Sequence, residues 1–163
     1  MTKKIFFDAN ILVNLINEEY KVNEPTIYLF NKLCNNKDHL YCSPTSFAIT
    51  YYFLSKAIRD TNMLNEKSIR FFSQFQFTRE DSSTIDKVKK SKFRDLEDAL
   101  QYYSAEDSKM DVIITSNYFD LEHSKILCIT LWNTSINFSY NFNCTCPSSN
   151  KTNLLKFPQQ TEN

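Results

Sequence analysis

The chain has 163 residues, and its 19 Lys plus Arg balance 19 Asp plus Glu to a formal net charge of zero. That length suits one domain with a core that needs no disulfide or metal staple, and zero charge means that nucleic-acid binding would need a local basic patch. Glycine is absent, which excludes a phosphate-cradling P-loop and a dinucleotide fingerprint, since both need backbone that approaches phosphate closely.

The apolar pattern alternates between strands and helices. Lys4–Phe7 reads as a short buried strand. A helix follows from about Asn10, with Ile11, Leu12, Leu15 and Ile16 at helical spacing. A second helix starts near Glu24-Pro25 and runs through Leu33, with proline just inside its start. Leu40–Cys42 reads as the second strand, and Ser43-Pro44 opens a long helix through Ile58. Another amphipathic helix is expected over Leu64 to Phe75, a short strand at Gln76–Thr78 and a polar helix over Ser82 to Lys90. Asp95 to Glu106 reads as helix, Val112–Thr115 as a buried strand and Ile126–Thr130 as the last strand. This order predicts an α/β fold with a central parallel sheet. Residues 132–163 are rich in Asn, Ser, Thr and Cys without periodicity, and read as a poorly ordered tail.

The two histidines, His39 and His123, stand in no Cys/His cluster and no HExxH pattern, which argues against zinc. Cys34, Cys42, Cys128, Cys144 and Cys146 are an odd number that form no disulfide framework, so a reducing cytoplasm is expected. The pair Cys144 and Cys146 offers too few ligands for a metal site of its own. No apolar run matches the roughly 7–15 residues of a secretory signal or the roughly 20 of a membrane span, so no membrane partner is expected. Carboxylates remain as the polar chemistry, and they favour hard cations such as Mg2+ or Mn2+.

Three groups of such residues stand at strand ends or helix starts. Asp8 follows the first strand directly, with Asn10 two positions on. Asp95, Glu97 and Asp98 open a helix, and positions 95 and 98 project from one face. Thr115, Ser116 and Asn117 end the Val112 strand, with Asp120 three residues further. Each group alone also fits a cap or a turn. Together they can converge on one edge of a parallel sheet, where several carboxylates repel one another unless a cation neutralises them.

Ile5-Phe6-Phe7-Asp8-Ala9-Asn10 resembles the opening of PIN domains. Asp95-Leu96-Glu97-Asp98-Ala99-Leu100-Gln101 resembles their central acidic helix, and Ile113 to Leu121 their closing T-R-N-x-x-D-F segment. The three motifs match in order and spacing over about residues 4–130. The resemblance implies a PIN-like three-layer α/β/α domain over residues 1–131. It also implies a metal-dependent endoribonuclease that uses Mg2+ or Mn2+, is often dimeric, and is often silenced by a small antitoxin, as in VapC-like toxins. Asp8 matches the first family acid, Asp98 the third, and Asp95 an additional acid. Asn117 stands where many members carry the fourth acid, with Asp120 nearby as a substitute. The second family acid, a glutamate, would fall near Ile49, and no carboxylate lies between Asp38 and Asp60. Ser116 replaces the usual basic residue of the closing motif, and the tail does not resemble the family.

The expected function is therefore metal-assisted hydrolysis of RNA phosphodiester bonds. Asp8, Asp98 and Asp120 would be catalytic metal ligands, with Asp95 and Asn117 in support. Asn10, Thr115, Ser116, Lys92 and Arg94 would contact substrate. The alternative is a PIN-fold module that binds RNA or an antitoxin and cuts nothing, as the absent glutamate and Asn117 suggest. A phosphorelay receiver also carries acids at strand ends, but the acidic pair after its first strand and the lysine after its last are not evident here.

Overall fold

Alternation within the short apolar runs sends successive side chains to opposite faces of a sheet. The computed structural model describes residues 2–16, 24–36, 38–117 and 124–130. Its elements are β1 (Lys4–Phe7), α1 (Ala9–Ile16), α2 (Glu24–Asn35), β2 (His39–Cys42), α3 (Pro44–Ala57), α4 (Thr61–Phe72), β3 (Gln76–Phe77), α5 (Ser82–Lys89), α6 (Leu96–Asp107), β4 (Val112–Thr115) and β5 (Leu127–Thr130). The five strands form one sheet in the order β3-β2-β1-β4-β5, and each neighbouring pair is parallel. Phe6 lies opposite Tyr41 of β2 and Ile113 of β4.

The pleat divides the core into two layers. Ile5 and Phe7, Leu40 and Cys42, and Val112 and Ile114 face α1, α2, α3 and α4, where they meet Leu12, Leu29, Leu33 and Phe72. Phe6, Tyr41 and Ile113 face the other side, where they meet Tyr102 and Ala105 of α6. α5 lies along α6, joined by Thr84 to Asp107 and by an ion pair of Lys87 with Asp107. This is the expected three-layer α/β/α arrangement. Aromatic rings fill the larger layer: Phe7 meets Phe75 edge-on at 5.5 Å and Phe30 at 6.0 Å.

Helix starts follow side-chain caps more than apolar periodicity. Ser43 caps α3 by accepting from Ser46 N–H, as its place before Pro44 implies. α4 spans Thr61–Phe72 and not Leu64–Phe75, because Asp60 accepts from the N–H groups of Asn62 and Met63 and sets the start three residues earlier. The apolar period marked the buried face of that helix but not its ends.

One backbone position shows what a chain without glycine must accept. Lys109, in the turn before β4, has φ 56°, a left-handed conformation disfavoured by its Cβ. Lys109→Gly is expected to raise stability by roughly 0.5–1 kcal/mol. Equilibrium urea unfolding of both chains checks this, and a lower midpoint for the glycine variant would show that the lysine side chain outweighs the backbone strain.

Candidate metal centre

In open parallel sheets, ligands bind beyond the strand ends where the strand order reverses. Here β2 and β3 extend the sheet on one side of β1, and β4 and β5 on the other. The reversal lies between β1 and β4. Asp8 directly follows β1 and Thr115 ends β4, so the crevice opens between these two residues.

Asp8 is only 5% exposed. Thr115 Oγ1 donates to its Oδ2 at 2.6 Å, and the Asn10 N–H approaches Oδ1 at 3.4 Å. The Asp8 carbonyl accepts from the N–H groups of Ile11 and Leu12, so the residue also begins α1. The cap reading therefore holds for this residue. Burial pushes the Asp8 carboxyl above its ordinary pKa, against the bonds from Thr115 and the Asn10 N–H and the pull of the nearby Ala9 N–H and Gln101 side chain toward the charged form. None of these partners is a cation.

Thr115 passes the contact on. Its Oγ1 accepts from Asn117 N–H at 3.0 Å, and Asn117 Nδ2 donates to Asp98 Oδ2 at 3.4 Å. Asp8, Thr115, Asn117 and Asp98 are therefore joined in one hydrogen-bonded chain. Asp98 lies in the first turn of α6 and is half-buried. Its neighbour Glu97 is held above its ordinary pKa by desolvation, then by the negative charges of Asp95 and Asp8. Asp95 is exposed and caps α6, accepting from Glu97 N–H at 2.8 Å. Asn10 and Ser116 are exposed beside the crevice residues in sequence, and Lys92 and Arg94 are exposed just before α6. Asp120 and the 132–163 tail lie outside the described residues.

Sequence reasoning passed over three polar residues at this edge. Gln101, 3% exposed, lies one turn after Asp98 on α6. Its Oε1 accepts from Ala9 N–H at 2.8 Å and from Ser46 Oγ at 2.7 Å. The three-residue spacing from Asp98 was the available signal. Ser46 is fully buried and lies one turn before Ile49, where the resemblance would put an acid. Glu80, just past β3, caps the first turn of α3: its Oε2 accepts from Thr45 N–H at 3.2 Å and from Thr45 Oγ1 at 2.7 Å. It obeys the same strand-end rule as Asp8.

Carboxylates and side-chain amides are the donor types that suit a hard cation. Thiolate chemistry is remote here, since burial and then the Glu80 charge push the Cys42 thiol up to about 12. Among the described residues, no group of three or more His, Cys, Asp or Glu is placed to hold a metal ion. The donors fit a cation in kind, with fewer charges gathered than a tight site would hold.

A five-stranded parallel sheet between helical layers, with a buried carboxylate where its strand order reverses, defines a three-layer α/β/α protein. The chain belongs to the PIN domain family, whose model matches residues 4–118. A structure of VapBC2 from Rickettsia felis, bound to a DNA fragment from its promoter, is similar in fold. It has a TM-score of 0.61 and 15% identity, over 78% of this chain and 98% of that one. A toxin–antitoxin complex from Klebsiella pneumoniae gives a TM-score of 0.61 and 14% identity, over 80% of this chain and 99% of that one. FitAcB from Neisseria gonorrhoeae gives 0.59 and 12%, over 77% and 96%. At these identities the likeness establishes the fold. A comparison with curated protein sequences gave no match.

The raised pKa of Asp8 has a pH signature. A carboxyl whose folded pKa lies above its ordinary 3.8 leaves stability intact below that value and removes it as pH rises through the folded value. Asp8→Asn keeps an acceptor for Thr115 and removes the buried charge. In chelator, the Asn variant is expected to melt higher than wild type at neutral pH, with the difference vanishing below about pH 4. Thermal unfolding across pH checks this. A variant that melts lower at neutral pH would mean that the charged cap of α1 outweighs desolvation.

Proposed function

We propose that this chain is a metal-dependent endoribonuclease and the toxin of a toxin–antitoxin pair. The observation that carries the reading is the buried Asp8 carboxylate, joined through Thr115 and Asn117 to Asp98 at the strand-order reversal. PIN family membership supports it.

Asp8 and Asp98 would hold Mg2+ or Mn2+, with Asp120 as a further ligand and Asp95 and Asn117 in support. When bound, the metal would activate a water and offset charge on the phosphate oxygens. The residues of the chain do the rest. Thr115 fixes the orientation of the Asp8 carboxylate, and Asn117 does the same for Asp98. The exposed Asn10 and Ser116 would contact the RNA near the cut, while Lys92 and Arg94 guide its backbone; Thr115, 1% exposed with its hydroxyl on Asp8, is too buried for the substrate contact expected of it.

A small antitoxin is the proposed protein partner, and a homodimer the proposed assembly. Consistent with a protein partner, α3 and α4 pack together and leave apolar side chains exposed on each, Tyr52 and Phe53 on α3 and Met63 and Ile69 on α4. No helix among the described residues is long and apolar enough to cross a membrane, and cytoplasmic action remains part of the proposal.

The second reading, a PIN-fold module that binds RNA or an antitoxin without cutting, is favoured by the small number of carboxylates gathered among the described residues. Incubation of a mixed RNA pool with Mg2+ or Mn2+ separates the two. Cutting by the wild type that is lost in Asp8→Asn and Asp98→Asn is the expected result. No cutting by any chain, with metal binding intact, would favour the binding module.

The guiding role of Lys92 and Arg94 has its own readout. Measured on the Asp8→Asn chain, replacing both with alanine should weaken binding to single-stranded RNA similarly across sequences. The slope of log affinity against log salt should fall by roughly 1.4, at ~0.7 per phosphate contact. An unchanged slope would mean that these residues touch no phosphate.

A further inference from the structure

Gln101 carries a buried donor with no hydrogen-bond partner among the described residues. The orientation of its amide is fixed by what surrounds it. The Ala9 N–H can only donate, so the side-chain atom 2.8 Å away is the carbonyl oxygen Oε1. Ser46 Oγ approaches the same oxygen at 2.7 Å, and Ser43 holds Ser46 in turn through both its hydroxyl and its backbone N–H. Three helices thus hold one amide: α1 through Ala9, α3 through Ser46 and α6 through Gln101 itself. The amide end Nε2 is left over. It is buried, and no hydrogen bond of ordinary length reaches it among the described residues. It nevertheless lies close enough to Asp8 to favour that carboxylate's charged form.

We propose that Gln101 is the neutral wall of the cation site, with its amide end facing Asp8, so that the residue at position 101 sets how many charges the site offers a divalent ion. This rests on the metal reading above. Ligand charge count and site rigidity tune the affinity of carboxylate sites for divalent ions. Ala9 and Ser46 supply the rigidity, and Gln101 withholds the charge. The site is then built to hold its ion loosely, through Asp8 and the acids of α6.

Gln101→Glu tests this because it separates the two ends of the side chain. One carboxylate oxygen keeps the contacts with Ala9 and Ser46, and the other replaces the donor that faces Asp8. If position 101 lines the site, the variant binds Mn2+ about tenfold more tightly by calorimetry. Its melting temperature in chelator falls as two carboxylates meet, and Mn2+ raises it by more than it raises wild type. If Gln101 only ties the helices together, Gln101→Glu keeps that tie and its Mn2+ affinity matches wild type, which overturns the proposal. If the variant unfolds in chelator, its refolding on Mn2+ addition supports the proposal, and failure to fold with Mn2+ overturns it. Wild type and Asp8→Asn run alongside. If wild type binds no Mn2+, or Asp8→Asn binds as wild type does, the metal reading falls and this proposal with it. If Asp8→Asn alone abolishes binding and Gln101→Glu changes nothing, the proposal about Gln101 falls alone.

Discussion

The carboxylate of Asp8 is drawn out of water by the strand that precedes it. Ile5, Phe6 and Phe7 are almost wholly buried in the middle of the sheet, and β1 pairs with a strand on each side. Where β1 ends, Asp8 sits in the gap between strands that lead apart. Burial of an ionised carboxylate is expensive unless bonds or a counter-charge compensate. The elements around Asp8 can be read as partial compensation: Thr115 from β4, N–H groups from the start of α1, and the Gln101 amide from α6. These groups do not cancel desolvation, since the carboxyl stays above its ordinary pKa.

Aromatic rings shape the core, and the absence of glycine shapes the crevice. The larger layer is filled by rings: Phe71 and Phe75 meet each other, and each meets both Phe30 and Phe72. At the strand ends, no glycine-rich loop can wrap a phosphate with N–H groups. A phosphate-bearing ligand would have to be met by side chains. Because the side chains that converge there are carboxylates and neutral amides, an intervening cation is the consistent way for them to attract phosphate.

Much of this was legible in the sequence, for a physical reason. The strands at Lys4–Phe7 and Val112–Thr115 are short and carry the apolar runs Ile5–Phe7 and Val112–Ile114, and buried parallel strands have that signature. Once they are placed, the rule that ligands sit beyond strand ends brings Asp8 and Thr115 together without further information. Gln101, Ser46 and Glu80 escaped because their roles depend on partners far away in sequence. Gln101 bonds across 92 residues to Ala9 and across 55 to Ser46, and Glu80 caps a helix that begins 36 residues before it. A neutral glutamine one turn along a helix resembles any other polar position until the fold buries it.

The acids at the start of α6 show how one local pattern can serve two purposes. A helix N-terminus favours negative charge, and acids in the first turn are stabilised by it. Asp95 satisfies that demand from an exposed position by capping the helix. Glu97 and Asp98 are then surplus to the cap. Were the helix end enough to stabilise them, Glu97 would be eased toward its charged form. Instead its pKa is raised, by desolvation first and then by Asp95 and by Asp8, a residue 89 positions away in sequence. That last influence crosses the crevice. It places Glu97 at the start of α6 within electrostatic reach of Asp8 at the end of β1, and repulsion of that kind is what a bound cation would relieve.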